Sequence, residues 1–234
     1  MLRRNSWKIW GWSIGLALTT LVAATQGLTD KHMVIKQVPT THKVVALTVD
    51  DGPHDKTTPQ MLAVLREKKV RLTLFVLGSN VEKHPEILAQ AVADGHEIAS
   101  HGYSHRLLTK LSRAECEAEM DKAEKLITAA APKPVLFRPP GGSYNDLVLK
   151  VARNHGYTPI IWSIDPKDWQ RPSVDKVVNN VLTNVKPGSI VLLHDGQYPL
   201  PTPEAIGIII DRLREAGYSI VTVSELLQYY EVNQ

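Results

Sequence analysis

The side chains best suited to chemistry in this sequence are imidazoles and carboxylates set beside glycine- and proline-rich turns. His101 and His105, with three residues between them, pair as candidate metal ligands. Two imidazoles and one carboxylate, with positions left open for water, form a common catalytic zinc arrangement. Asp50 and Asp51 are adjacent, and on an extended strand their side chains point to opposite faces. At a strand end the chain can turn and bring both to one site, one as a metal ligand and the other as a proton acceptor. Arg138, Asp165, Asp168 and the pair His194-Asp195 add a cation, more carboxylates and another imidazole. Taken singly, a His-x-x-x-His spacing or an Asp-Asp-Gly-Pro turn is ordinary. Their joint placement is much harder to assign to chance.

That placement follows from the elements around them. Apolar, β-branched runs predict strands over 44–49, 72–77, 96–99, 135–137, 158–162, 189–193 and 219–223. Amphipathic stretches predict helices between them. Thr58 is expected to cap a helix opening at Pro59, with Leu62 and Leu65 on one face. Pro85 opens a helix through Ala93, and Ser112 to Glu115 reads as a capping box for a helix reaching about Ala130. Asn145 caps the next helix, which ends near Gly156. Further helices are expected over about 173–185, 203–216 and 225–230. Seven strands alternating with helices imply parallel βα units. The expected fold is α/β, a distorted (β/α) barrel of about seven parallel strands in a single domain, with an open doubly wound sheet as the alternative. In both folds function gathers at the carboxyl ends of the strands. Asp50-Asp51-Gly52-Pro53 follows the first strand, His101 to His105 the third, Arg138 the fourth, Asp165 to Trp169 the fifth and His194-Asp195 the sixth. Five strand ends thus bring Asp, His and Arg to one rim.

The 234 residues suffice for one sizeable domain. The single cysteine, Cys116, excludes an internal disulfide framework and a cysteine-based zinc finger, and it reads as a buried or half-buried packing residue. The net charge of +3 comes from Arg3, Arg4 and Lys8; the rest of the chain is balanced, which removes the electrostatic case for nucleic-acid binding. Those three cations precede an apolar run from Ile9 to Ala24, shorter than a spanning helix of about 20 residues. Residues 1–27 therefore read as a signal peptide or an N-terminal membrane anchor, with Trp7, Trp10 and Trp12 suited to a membrane interface. Residues 28–42 read as a linker, and the domain over 43–230 is expected to work outside the cytoplasm, extracellular or in the cell envelope.

In order along the chain, Thr48-Val49-Asp50-Asp51-Gly52-Pro53, His101-Gly102-Tyr103-Ser104-His105, Arg138-Pro139-Pro140-Gly141, Asp165-Pro166-Lys167-Asp168-Trp169 and Leu192-Leu193-His194 resemble the five motifs of the polysaccharide deacetylases. These are metal-dependent carbohydrate esterases of family four and include the nodulation-type chitooligosaccharide deacetylases. The resemblance runs from about Val44 to Leu227. Val49 stands where Phe is common, Gly102 where Ser or Thr is usual, Arg106 where Pro is usual, and Gly141 at a place often held by an aromatic. None of these departures removes a ligand or a catalytic group. Gly102 is expected to loosen the loop carrying His101, and Gly141 to alter the lip of the cleft.

The resemblance implies removal of acetyl from N-acetylglucosamine units of a chitin-like or peptidoglycan substrate. It implies one divalent cation, zinc first with cobalt or nickel compatible, held by Asp51, His101 and His105. It assigns Asp50 as general base, Arg138 as its ionic partner, His194 as general acid and Asp168 as the carboxylate that charges and orients His194. It places the backbone N–H of Gly141 at the oxyanion, and Trp169 and Leu192 around the acetyl methyl. The expected partner is an N-acetylated glycan, with a membrane tether through the N-terminus if the leader is retained. The competing readings are a carbohydrate-binding homologue without turnover and a barrel hydrolase of small amides or phosphoesters. His54, His84, His96 and His155 are expected to face solvent, and loop caps or turn contacts account for Asp165, Asp195 and Tyr144.

Overall fold

The computed structural model describes residues 34–231. The leader and the first part of the expected linker lie outside the described residues. Seven parallel strands form one sheet: β1 (Val44–Asp50), β2 (Thr73–Val76), β3 (Glu97–Ser100), β4 (Leu136–Phe137), β5 (Thr158–Pro159), β6 (Ile190–His194) and β7 (Ser219–Ile220). Their order is β5-β4-β3-β2-β1-β6, with β7 paired to the start of β1. All seven residues of β1 and all four of β2 are buried. Helices cover the outer face, so these strands are apolar on both sides rather than alternating.

The sheet curls toward closure between β5 and β6. Ile164 bridges to Val191, and the Leu192 N–H donates to the Ile164 carbonyl at 2.9 Å. The expected strand over 158–162 is regular only at Thr158–Pro159. Pro159 has no N–H to donate, and proline weakens a ladder at its own position. The result is the distorted barrel expected from the alternation of elements.

Helices follow the strands as α1 (Thr57–Lys68), α2 (Gly78–Val81), α3 (Pro85–Ala93), α4 (Arg113–Thr128), α5 (Asp146–Asn154), α6 (Val174–Asn184), α7 (Thr202–Glu215) and α8 (Val223–Leu227). Ser112 and Glu115 close the capping box of α4, and the Asn145 side chain accepts from the Val148 N–H to start α5. The start of α1 differs from expectation. The helix begins at Thr57, and the Thr58 hydroxyl donates instead to Asp195 at 2.6 Å. The largest cluster of core side chains joins β1, β2 and β6 to α1, α6 and α7, through residues such as Leu47, Leu65, Val181, Leu193 and Ile206. A second cluster under β4 includes Cys116, Met120, Phe137 and Val151. Cys116 is fully buried there.

The described part of the expected linker belongs to the folded unit, which begins at Val34. Ile35 bridges to Ile160, and Val38 donates its N–H to the Gly188 carbonyl; both side chains are buried. His96 also departs from expectation. It is buried, and its Nδ1 accepts from the Leu72 N–H at 3.1 Å, which compensates for lost water. Burial lowers its pKa from the ordinary imidazole value.

Candidate metal centre and active site

Strand register brings the site together. Asp50, the last residue of β1, pairs with His194, the last of β6. Ser100 at the end of β3 pairs with Phe137 of β4, so His101 and Arg138 emerge side by side. Asp51 takes a positive φ of 75°, and this kink answers how adjacent aspartates reach one site. Beneath the turn, Gly52 has no room for a side chain. A Cβ there would lie 2.5 Å from Oδ1 of Asp195.

One carboxylate oxygen of Asp51 lies 3.5 Å from Nε2 of His101 and 3.4 Å from Nε2 of His105. The ligand atoms of the three residues lie within 4.8 Å of one another. That Asp51 Oδ1 is buried and has no hydrogen-bond partner, which is costly unless something else satisfies it. The His101 ring is oriented by a 2.7 Å contact between Nδ1 and the Arg138 carbonyl, which leaves the Nε2 lone pair facing Asp51. Burial pushes the His101 pKa down to about 3, so the ring is neutral as a metal ligand must be. The orphaned oxygen and the neutral imidazole both fit a divalent cation.

Asp50 is fully enclosed next to this triangle. Arg138, itself without exposure, donates from Nη1 to Asp50 Oδ1 at 2.5 Å and to the Thr48 hydroxyl at 2.9 Å. The guanidinium also lies 4.0 Å from the Phe75 ring centroid. Burial pushes the Asp50 carboxyl above its ordinary range, while the Arg138 charge pulls it back. Across the pocket, His194 Nδ1 meets Asp168 Oδ1 at 2.8 Å. The other Asp168 oxygen accepts from the His194 N–H and from the Thr202 hydroxyl, so the buried carboxylate is fixed by three donors. Burial pulls the His194 pKa down, but the Asp168 hydrogen bond and charge outweigh it and leave the ring at about 9.

These groups line a pocket of about 320 Å³. Asp50, Asp51, His101, His105, His194, Gly141, Trp169 and Leu192 all reach its wall, while Arg138 and Asp168 stand behind it. Leu192 is buried and Trp169 is 43% exposed, so one forms the floor and the other the lip. Gly141 has φ +63°, and a Cβ there would stand 3.3 Å from Leu107. Trp162, Asp165 and Gln197 also line the pocket and were not among the expected substrate contacts. Asp165 lies where the strand-end rule points; Trp162 closes the expected strand over 158–162, and Gln197 carries no such signal. Asp165 also accepts from the Lys167 N–H at 2.8 Å, the turn contact expected of it. Asp195, in contrast, is buried below the turn, and burial raises its pKa to about 7.

Fold and site together define a (β/α)-barrel hydrolase with its chemistry at the carboxyl ends of the strands. The polysaccharide deacetylase family model matches residues 37–160. A peptidoglycan-N-acetylglucosamine deacetylase of Bacillus cereus is 41% identical over 196 residues, covering 82% of this chain and 92% of that protein. A chitooligosaccharide deacetylase of Sinorhizobium fredii is 41% identical over 157 residues, covering 66% of this chain and 73% of that one. A solved carbohydrate esterase family four pseudoenzyme from Bacillus anthracis superposes with a TM-score of 0.80 at 31% identity, covering 86% of this chain and 70% of that one. The chain belongs to the polysaccharide deacetylase family.

Proposed function

We propose that this protein removes N-acetyl groups from N-acetylglucosamine units of a cell-wall peptidoglycan or chitin-like glycan, releasing acetate and leaving a free amine. The observation that carries this reading is the meeting of Asp51, His101 and His105 in one pocket with Asp50 and His194. The names of the Bacillus and Sinorhizobium relatives support the substrate class. A divalent cation held by Asp51, His101 and His105, with zinc first by ligand type and cobalt or nickel also compatible, supplies Lewis acidity at the acetyl carbonyl and the attacking water.

Asp50 takes the proton of the attacking water. Arg138 holds one of its oxygens and leaves the other toward the pocket. The backbone N–H of Gly141 serves the oxyanion, and one such donor is typically worth about 3–4 kcal/mol. His194 gives its Nε2 proton to the departing nitrogen as the C–N bond breaks. Its Nδ1 is committed to Asp168, which keeps the ring charged and aimed. Leu192 and Trp169 enclose the acetyl methyl and exclude water. The two proton transfers balance: one leaves water for Asp50, and one leaves His194 for the amine.

Acetate release from N-acetylglucosamine oligomers and from peptidoglycan tests this reading, with zinc-loaded full chain compared with Asp50→Asn. Release by the wild type and a drop of about 100-fold or more in the variant are expected. The second reading, a binding protein without turnover, is raised by the pseudoenzyme of the same fold. Equal, negligible release by both forms would select it, and release only from small acetamides would move the substrate class. We also place the domain outside the cytoplasm, on the strength of Arg3, Arg4 and Lys8 before the Ile9–Ala24 run. Recovery of the chain in the cytoplasmic fraction would overturn that placement.

A further inference from the structure

The two histidines of the metal triangle are held in different ways. The His101 ring is buried and its Nδ1 is tied to the Arg138 carbonyl. The His105 side chain is 45% exposed, and its ring has no hydrogen-bond partner among the described residues; its carboxylate contact there is Asp51, and the His101 ring lies 5.2 Å away between centroids. A metal-ligating imidazole almost always has a partner on its second nitrogen. Lacking one among the described residues, His105 depends on its backbone, which has a positive φ of 61°.

That backbone is clamped by a buried carboxylate. Glu119, 9% exposed on α4, accepts from the Ser104 N–H at 2.9 Å and from the Ser104 hydroxyl at 2.6 Å. Glu119 forms no ion pair among the described residues, so both of its oxygens rest on Ser104. A carboxylate removed from water is costly unless hydrogen-bonded. Here the whole compensation is given to the residue next to a metal ligand. The helix behind it is firm. α4 has a closed capping box, and it approaches α2 so closely that a Cβ on Gly78 would lie 2.8 Å from the Ala123 Cα. The expected looseness at Gly102 is also offset. Gly78 and Ser79 donate their N–H groups to the carbonyls of Gly102 and Tyr103, both at 2.9 Å.

We propose that Glu119 is a positioning residue that sets His105 at the metal centre through Ser104. This rests on Asp51, His101 and His105 binding a cation. It concerns how that site is preorganised, not which substrate is used.

Zinc affinity of the full chain, measured by competition with a chromogenic chelator, tests it. Glu119→Gln keeps the size but replaces one acceptor with a donor, and a loss of about 10–100-fold in affinity is expected. Ser104→Ala keeps the backbone N–H bond and should lose less. Glu124→Gln is the control, because Glu124 lies on the same helix but bonds Tyr157 and Lys133. It should bind zinc like the wild type. A merely structural role for Glu119 would lower the melting temperature and leave zinc affinity equal to that of the Glu124→Gln control; that result overturns the proposal. If Glu119→Gln does not fold, Ser104→Ala decides, and unchanged affinity there overturns it equally. His105→Ala separates the two levels. Wild-type zinc affinity in that variant would remove the metal reading itself, whereas its loss alongside an unaffected Glu119→Gln removes only the role of Glu119.

Discussion

At the scale of single residues, the site sorts its titrating groups by what surrounds each one. Asp50 is buried against the Arg138 guanidinium, and His194 is buried against the Asp168 carboxylate. The proposed base is thus kept beside Arg138 and the proposed acid beside Asp168, an arrangement that would let one pocket run both proton transfers at one pH. An ion pair this deep is weak evidence for stability, and its clearer effect is to fix orientation. The consequence for pH is definite in sign. Removing the Asp168 carboxylate lowers the His194 pKa, so the acid form disappears at a lower pH. Asp168→Asn should therefore shift the alkaline limb of the kcat/KM profile downward by about 1–3 pH units, the span expected for a lost close countercharge. A limb that stays in place would separate Asp168 from the general acid.

At the scale of elements, the strand-end turns carry the strain and the function together. The turn after β1 packs Gly52 against Asp195, and Asp195 in turn takes the Thr58 hydroxyl from α1. The Asp195 N–H also donates to the Asp50 carbonyl at 3.1 Å. Asp50, Asp51 and the first helix therefore share one small joint. Gly52→Ala places a methyl group 2.5 Å from a carboxylate oxygen, and the backbone must move to relieve it. The expected cost is about 1–3 kcal/mol in urea denaturation, typical of overpacking. Turnover should fall further than that loss of folded protein explains, because Asp51 moves with the turn. Wild-type kcat in the folded variant would show that the joint tolerates the shift.

At the scale of the molecule, the barrel is completed partly by chain that precedes its first strand. Ile35 donates its N–H to the Pro159 carbonyl at 3.0 Å and accepts from the Ile161 N–H at 2.8 Å. Val38 docks near Gly188 at the foot of β6. Glu231 then fastens the end of the described chain to the same segment, accepting from the Thr41 N–H at 2.6 Å. Ile35→Ala should cost about 2–4 kcal/mol of stability, as a buried aliphatic truncation does. A chain beginning at residue 43 should melt lower than one beginning at residue 34. Equal melting temperatures would mean that this segment adds nothing to the fold.

The sequence by itself determined the alternation of strands and helices, and it exposed the chemistry at their ends. Buried parallel strands are short apolar runs, and glycine, proline and capping residues mark where they stop; these signals are local. Asp50, Asp51, His101, Arg138, Asp168 and His194 were legible because each follows such a run. Tertiary structure alone decided the rest. The pairing of Asp50 with His194 depends on strand register. The seat of Ile35 depends on a gap beside β5 that no local pattern announces. His96 and Glu119 sit in polar stretches, and only packing against β2 and against the His105 loop turns them inward. A local sequence states what a residue is able to do; which neighbour it faces is a property of distant chain, because burial and register are set by contacts far apart in sequence.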